Sequence, residues 1–138
     1  MTRRDFQQLA LIRLKEAKVL FDNKCYSGSF YLSGYTVECA LKACIAKKTK
    51  RFEFPEREFV NQIHTHKLNQ LISLLGLKRD LDNEINNNVV FASYWGYLKD
   101  WDVKVRYDRN VKRQQALDAI NAISDNQNGI LKWLKNFW

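Results

Sequence analysis

Residues 26–48 read Tyr26-Ser-Gly-Ser-Phe-Tyr-Leu-Ser-Gly-Tyr-Thr-Val-Glu-Cys-Ala-Leu-Lys-Ala-Cys-Ile-Ala-Lys-Lys48, and this stretch decides the fold class. It holds no proline. Phe30, Gly34, Val37, Leu41, Cys44 and Ile45 recur at three- and four-residue intervals, the spacing of one helix face. A helix is expected from Ser27 or Ser29, either of which suits an N-cap, to about Lys48. Gly34, Ala40, Ala43 and Cys44 keep the face thin, so a neighbouring helix can come close. Glu38 and Lys42 stand four apart in the order that favours an ion pair. Glu38 also lies beside the apolar face, and two readings stay open for it: a solvated partner for Lys42, or an acid with a task of its own.

The segments on either side repeat the pattern. From Thr2 to Asp22, Phe6, Leu9, Ala10, Leu14, Ala17, Leu20 and Phe21 form one stripe of an amphipathic helix, which Asp22-Asn23-Lys24 breaks. Lys50 to Gln62 is charged and holds the one proline, Pro55, so it reads as a loop pinned by Phe52, Phe54 and Phe59. A short helix is expected from His64 or Thr65, burying Leu68, Leu71, Ile72 and Leu75 and stopping at Gly76. Residues 78–100 form one less regular segment whose apolar face is Val89, Val90, Phe91, Tyr94, Trp95 and Leu98. Trp101 to Asp108 reads as a turn. The last helix begins near Asn110, carries Val111, Leu117, Ile120, Ile123, Ile130, Leu131 and Leu134, and is kinked or interrupted between Asp125 and Gly129. The aromatic end, Trp133 to Trp138, either caps the core or forms an exposed patch. The sum is an all-α antiparallel bundle of four to five helices, a single domain over residues 1–138.

Composition agrees. Of 138 residues, 46% are apolar and eighteen are Phe, Trp or Tyr, enough for a real core and too many for a disordered chain. One proline and five glycines are too few for the turns of a sandwich or barrel. No apolar run is long enough for a membrane span. The opening Met-Thr-Arg-Arg-Asp-Phe is charged and leads into no apolar stretch, so no export signal is expected. Cys25, Cys39 and Cys44 then read as free thiols of a cytoplasmic protein.

The net charge is +8, and two stretches account for it. Lys42, Lys47, Lys48, Lys50 and Arg51 occur without an acid between 42 and 51, and Lys104, Arg106, Arg109, Lys112 and Arg113 face only Asp108 between 103 and 113. Such a surplus suits a polyanion, nucleic acid or an acidic protein, as well as plain solubility. His64 and His66, two apart and without further ligands, make no metal site. No glycine-rich phosphate loop is present, so any phosphate falls to arginines and helix N-termini. Arg106, Arg109 and Arg113 recur at three and four residues and would share a side if the last helix began early, with Lys112 beside them. Trp101 and Tyr107 suit base stacking or core packing. For Arg106 a structural pairing with Glu38 or an Asp fits the spacing equally well.

Leu14-Lys-Glu-Ala-Lys-Val-Leu-Phe-Asp22, followed by Tyr26 to Ala43, resembles the first two helices of HEPN domains (higher eukaryotes and prokaryotes nucleotide-binding). Glu38-x-x-Leu41-Lys42, His66-Lys-Leu68 and Arg106-Tyr107 follow in the family's order, so the resemblance runs over roughly residues 8–125. It implies a compact helical bundle, usually a symmetric dimer, in prokaryotic defence or toxin–antitoxin settings, often beside a nucleotidyltransferase-type partner. Many relatives are metal-independent ribonucleases with an arginine followed four to six residues later by a histidine. Carried onto this chain, the arginine is Arg106, but Val111, Lys112 and Arg113 stand where that histidine should be, and none shuttles a proton as imidazole does.

The expected function is therefore binding of RNA or a nucleotide through Arg106, Tyr107, Arg109, Lys112 and Arg113, without cofactor or metal. The alternatives are a ribonuclease toxin with a degenerate site built on Arg106 and Glu38, and an interaction module that docks an acidic protein.

Overall fold

A computed structural model describes residues 1–49 and 57–138. Eight α-helices and one 3-10 helix account for the secondary structure of these residues, and no strand occurs among them. The helices are α1 (Arg3–Asp22), α2 (Tyr26–Lys48), α3 (Arg57–Gln62), α4 (Leu68–Leu74), α5 (Lys78–Asn87), α6 (Val89–Leu98), α7 (Arg113–Ser124) and α8 (Ile130–Leu134). The 3-10 helix, Val103–Tyr107, lies between α6 and α7.

α1 opens with a capping box: the Asp5 main-chain N–H donates to the Thr2 hydroxyl at 3.2 Å, and the Thr2 N–H donates to the Asp5 carboxylate at 2.7 Å. Its expected stripe faces inward, with Ala10, Leu14 and Ala17 buried. Three residues separate it from α2, and the two form a hairpin. The caps expected for α2 are wrong by a turn. Cys25 holds the N-cap position, and Ser29 is buried, its hydroxyl donating to the Ala17 carbonyl at 2.8 Å. Ser29 staples the two helices where small side chains let them meet.

α2 is the axis of the molecule. It packs against α1, α4, the 3-10 helix, α7 and α8, and thirteen of its 23 residues are buried. A helix surrounded on most sides must be apolar nearly all round, which this one is. Gly76 follows α4 in the left-handed region at φ +69°, the geometry expected of a helix-stopping glycine.

Several boundaries differ from expectation, and α4 begins at Leu68 rather than at His64 or Thr65. Residues 78–100 form two helices rather than one irregular segment. Asn88 has extended backbone, and its side chain accepts from the Phe91 N–H at 3.0 Å while donating to Asn128 at 2.9 Å. Asn88 thus holds a corner and caps α6. The last helix starts at Arg113, three residues later than expected, and the break at 125–129 separates α7 from α8. Residues 57–62 are helical, and Phe59 packs on the core as expected; Phe52, Phe54 and Pro55 lie outside the described residues. The aromatic end caps the core. Trp133 is buried against Phe91 at 5.5 Å, and Phe137 meets Trp133 edge-on at 5.2 Å.

Candidate functional site

Two regions carry the polar chemistry. The first is one turn of α2. At Gly34 the neighbour that comes close is an indole, not the helix expected there: a Cβ on residue 34 would overlap the Trp101 ring. Trp101 is buried and stacks on Tyr31 at 6.0 Å, and Tyr31 stacks on Tyr35 at 6.2 Å. One turn beyond Gly34 stands Glu38, only 1% exposed. It is not the solvated acid of the simpler reading. Its Oε1 accepts from Lys42 Nζ at 2.8 Å, the expected i,i+4 pair, and contacts His66 Nδ1 at 2.9 Å. Among the described residues its Oε2 has no hydrogen-bond partner, and neither has Trp101 Nε1.

Burial of a charge is expensive unless it is paired, so Lys42 and His66 account for much of why Glu38 survives in the core. The orphaned oxygen goes the other way. A buried polar atom left without a partner costs about 1–3 kcal/mol. Burial, and after it the Glu38 charge, pushes the Cys39 thiol up to about 12; burial likewise pushes Cys44 up to about 11. Burial also raises Tyr35, with Cys39 and Glu38 adding to the effect. These thiols are packing groups, not nucleophiles. Sequence reasoning missed His66, because 28 residues separate it from Glu38 and no periodicity links the start of α4 to the middle of α2. Its position two residues before an apolar helix was the available signal. Among the described residues no three metal-ligating side chains cluster, so the histidines have no metal partners there.

The second region is residues 103–113. Val105 packs on the core and Val111 is buried, which pins the segment at two points. Between and beside these anchors Arg106, Tyr107, Arg109, Lys112 and Arg113 are all exposed, Tyr107 by 71%. The three arginines do not share a helix face, because α7 begins too late. Arg106 lies in the 3-10 helix, Arg109 in the connecting coil and Arg113 at the first residue of α7. Asp108 shapes that coil by accepting from the Asn110 N–H at 2.8 Å. Arg106 does not pair with Glu38. It donates to the Tyr107 hydroxyl at 2.9 Å and lies 4.8 Å from the ring centre. Arg113 sits over Phe21, 5.2 Å from its ring centre. Arginine on an aromatic face keeps its N–H fork available to an anion.

The two regions are linked through Trp101. The chain that rises from the indole over Gly34 leads directly into the 3-10 helix, which itself packs on α2. No helix among the described residues is long and apolar enough to cross a membrane. No curated protein and no solved structure matches the chain. A family model, the HEPN domain, matches residues 4–136. That span takes in both regions, and the chain belongs to the HEPN family, whose role is nucleotide- or RNA-related.

Proposed function

We propose that this chain, as one domain over residues 1–138, binds RNA or a nucleotide through Arg106, Tyr107, Arg109, Lys112 and Arg113. The observation that carries the reading is the exposure of all five on a segment anchored at Val105 and Val111. Among the described residues none of the five pairs with a carboxylate, so their N–H groups are open to phosphate oxygens. Tyr107 supplies a face for base stacking. The usual arginine–histidine spacing is absent, which favours binding over cleavage by that segment.

The setting is a prokaryotic defence or toxin–antitoxin system in the cytoplasm, with a nucleotidyltransferase-type protein as working partner. The protein acts as a homodimer. Leu11, Ile12 and Val19 leave an apolar strip exposed on α1, which a second copy would cover.

Binding is tested by a gel shift with a mixed RNA pool across a salt series. A steep loss of affinity with salt, weakened in the Arg106→Ala/Arg113→Ala variant at unchanged helical content, is the expected result. Equal affinity of the variant and the parent would remove the segment from the reading. No shift at low salt would favour docking to an acidic protein. A sedimentation mass near the single-chain 16.4 kDa at high micromolar concentration would contradict the dimer.

A further inference from the structure

We propose that a recess beside the basic segment reads a guanine base, with the Asp118 carboxylate as the group that selects it. The inference deepens the RNA-binding reading above and rests on it. The recess has a volume of about 370 Å³. Tyr97 at the end of α6, Asn110 and Lys112 of the basic segment, and Gln114, Gln115 and Asp118 of α7 line it. α6 and α7 pack against each other, so two of its walls are fixed by the bundle.

Asp118 is the unexpected member of this set. A carboxylate on the flank of a cationic surface repels phosphate, so it adds nothing to the binding of a strand's backbone. Among the described residues it pairs with no lysine or arginine. Its Oδ1 accepts from Gln114 Nε2 at 2.8 Å, one turn back along α7, which orients the carboxylate and leaves Oδ2 open among the described residues. Gln114 keeps its amide carbonyl and a second N–H.

A carboxylate accepts hydrogen bonds and donates none, so the base edge that meets it must carry donors. Guanine alone among the four RNA bases has two N–H groups side by side on its Watson–Crick edge, at N1 and at the N2 amino group. One carboxylate accepts both at once, in parallel. Adenine, cytosine and uracil each set a single donor group beside an acceptor, and that acceptor would face a carboxylate oxygen. Guanine also carries the O6 acceptor, for which Lys112, Asn110 and Gln115 supply N–H donors. Tyr97 is 48% exposed and offers its ring for stacking. The arginines of the segment thus position the strand, and Asp118 specifies one base of it.

The test uses the full chain and a short labelled oligouridine carrying one central guanosine, adenosine, cytidine or inosine, with affinity read by fluorescence anisotropy at low salt. The guanosine oligomer should bind at least about fivefold more tightly than the other three. Inosine is the sharpest comparison, because it lacks only the N2 amino group. Asp118→Asn, at unchanged helical content, should abolish the preference while affinity for plain oligouridine holds or rises, since a negative charge is removed. Arg106→Ala/Arg113→Ala should instead weaken all four oligomers by the same factor. Equal affinity of the parent for all four would overturn the guanine assignment and leave the binding reading standing. A preference that survives in Asp118→Asn would overturn it too. Failure to bind any of the oligomers would sink both.

Discussion

The turn of α2 around Gly34 and Glu38 and the segment from Val103 to Arg113 handle charge in opposite ways. In the first, one carboxylate is taken into the core and answered by Lys42 and His66. In the second, five polar and basic side chains are kept in water by two apolar anchors. A buried charge costs desolvation and is tolerated only where partners are held for it, so it couples tightly to the fold. Exposed cations couple weakly to the fold and strongly to whatever anion arrives. Substitutions in the first region should therefore read out in stability, and those in the second in affinity.

The largest effect is expected from Trp101→Ala, which empties the space over Gly34 and removes the stack on Tyr31. A loss of about 3–5 kcal/mol should appear in denaturant titration. A loss below 1 kcal/mol would mean that the indole is not seated as described. Gly34→Ala approaches the same contact from the other side, driving a methyl into the ring, and should cost about 1–3 kcal/mol. Combined with Trp101→Ala its cost should largely vanish, a non-additivity that double-mutant analysis reads directly.

In the basic segment Arg106→Ala or Arg113→Ala should change stability by no more than about 0.5 kcal/mol. For single-stranded RNA each lost phosphate contact should reduce the salt slope by about 0.7. Large unfolding in either variant would erase the contrast between the regions.

A thiol-labelling experiment at pH 8 tests the same contrast with less at stake. Exposed Cys25 should react first, with Cys39 and Cys44 protected until the protein unfolds. The smallest effect belongs to an intermediate case, the Tyr94 hydroxyl on Asp125 at 2.6 Å. That hydroxyl, followed by the Gln127 and Asn128 N–H groups, holds Asp125 below the ordinary carboxylate value, and the carboxylate in turn raises Tyr94. A depressed acid stabilises the fold above its ordinary pKa and loses that contribution as pH falls through the folded value. A raised tyrosine contributes below its ordinary pKa and loses that contribution as pH climbs through the folded one. Tyr94→Phe should therefore lower the melting temperature most between about pH 4 and 10, and less outside that window.

Much of the fold is legible in residue order alone. The inward stripe of α1, the extent of α2, the Glu38–Lys42 pair and the stop at Gly76 all follow from local spacing and local conformational preference. The corner at Asn88 is not legible there, because its role depends on Asn128, forty residues away. The misplaced cap at Ser29 has a similar origin. A serine near a helix start can donate its hydroxyl to a main-chain carbonyl instead of capping, and here it bonds the carbonyl of Ala17 on the preceding helix.

The candidate site divides along the same line. That the chain is helical, basic and without the family's usual arginine–histidine spacing is a property of residue order, since it depends on neighbours a few positions apart. That Arg106 bonds Tyr107 rather than Glu38, that Trp101 fills the space over Gly34, and that His66 meets Glu38 were decided only when distant segments packed. Periodicity reports which face of a helix is buried, but not which side chain from elsewhere will lie on it. For a charge such as Glu38 that unknown partner is the whole difference between a surface acid and a fixed, buried one.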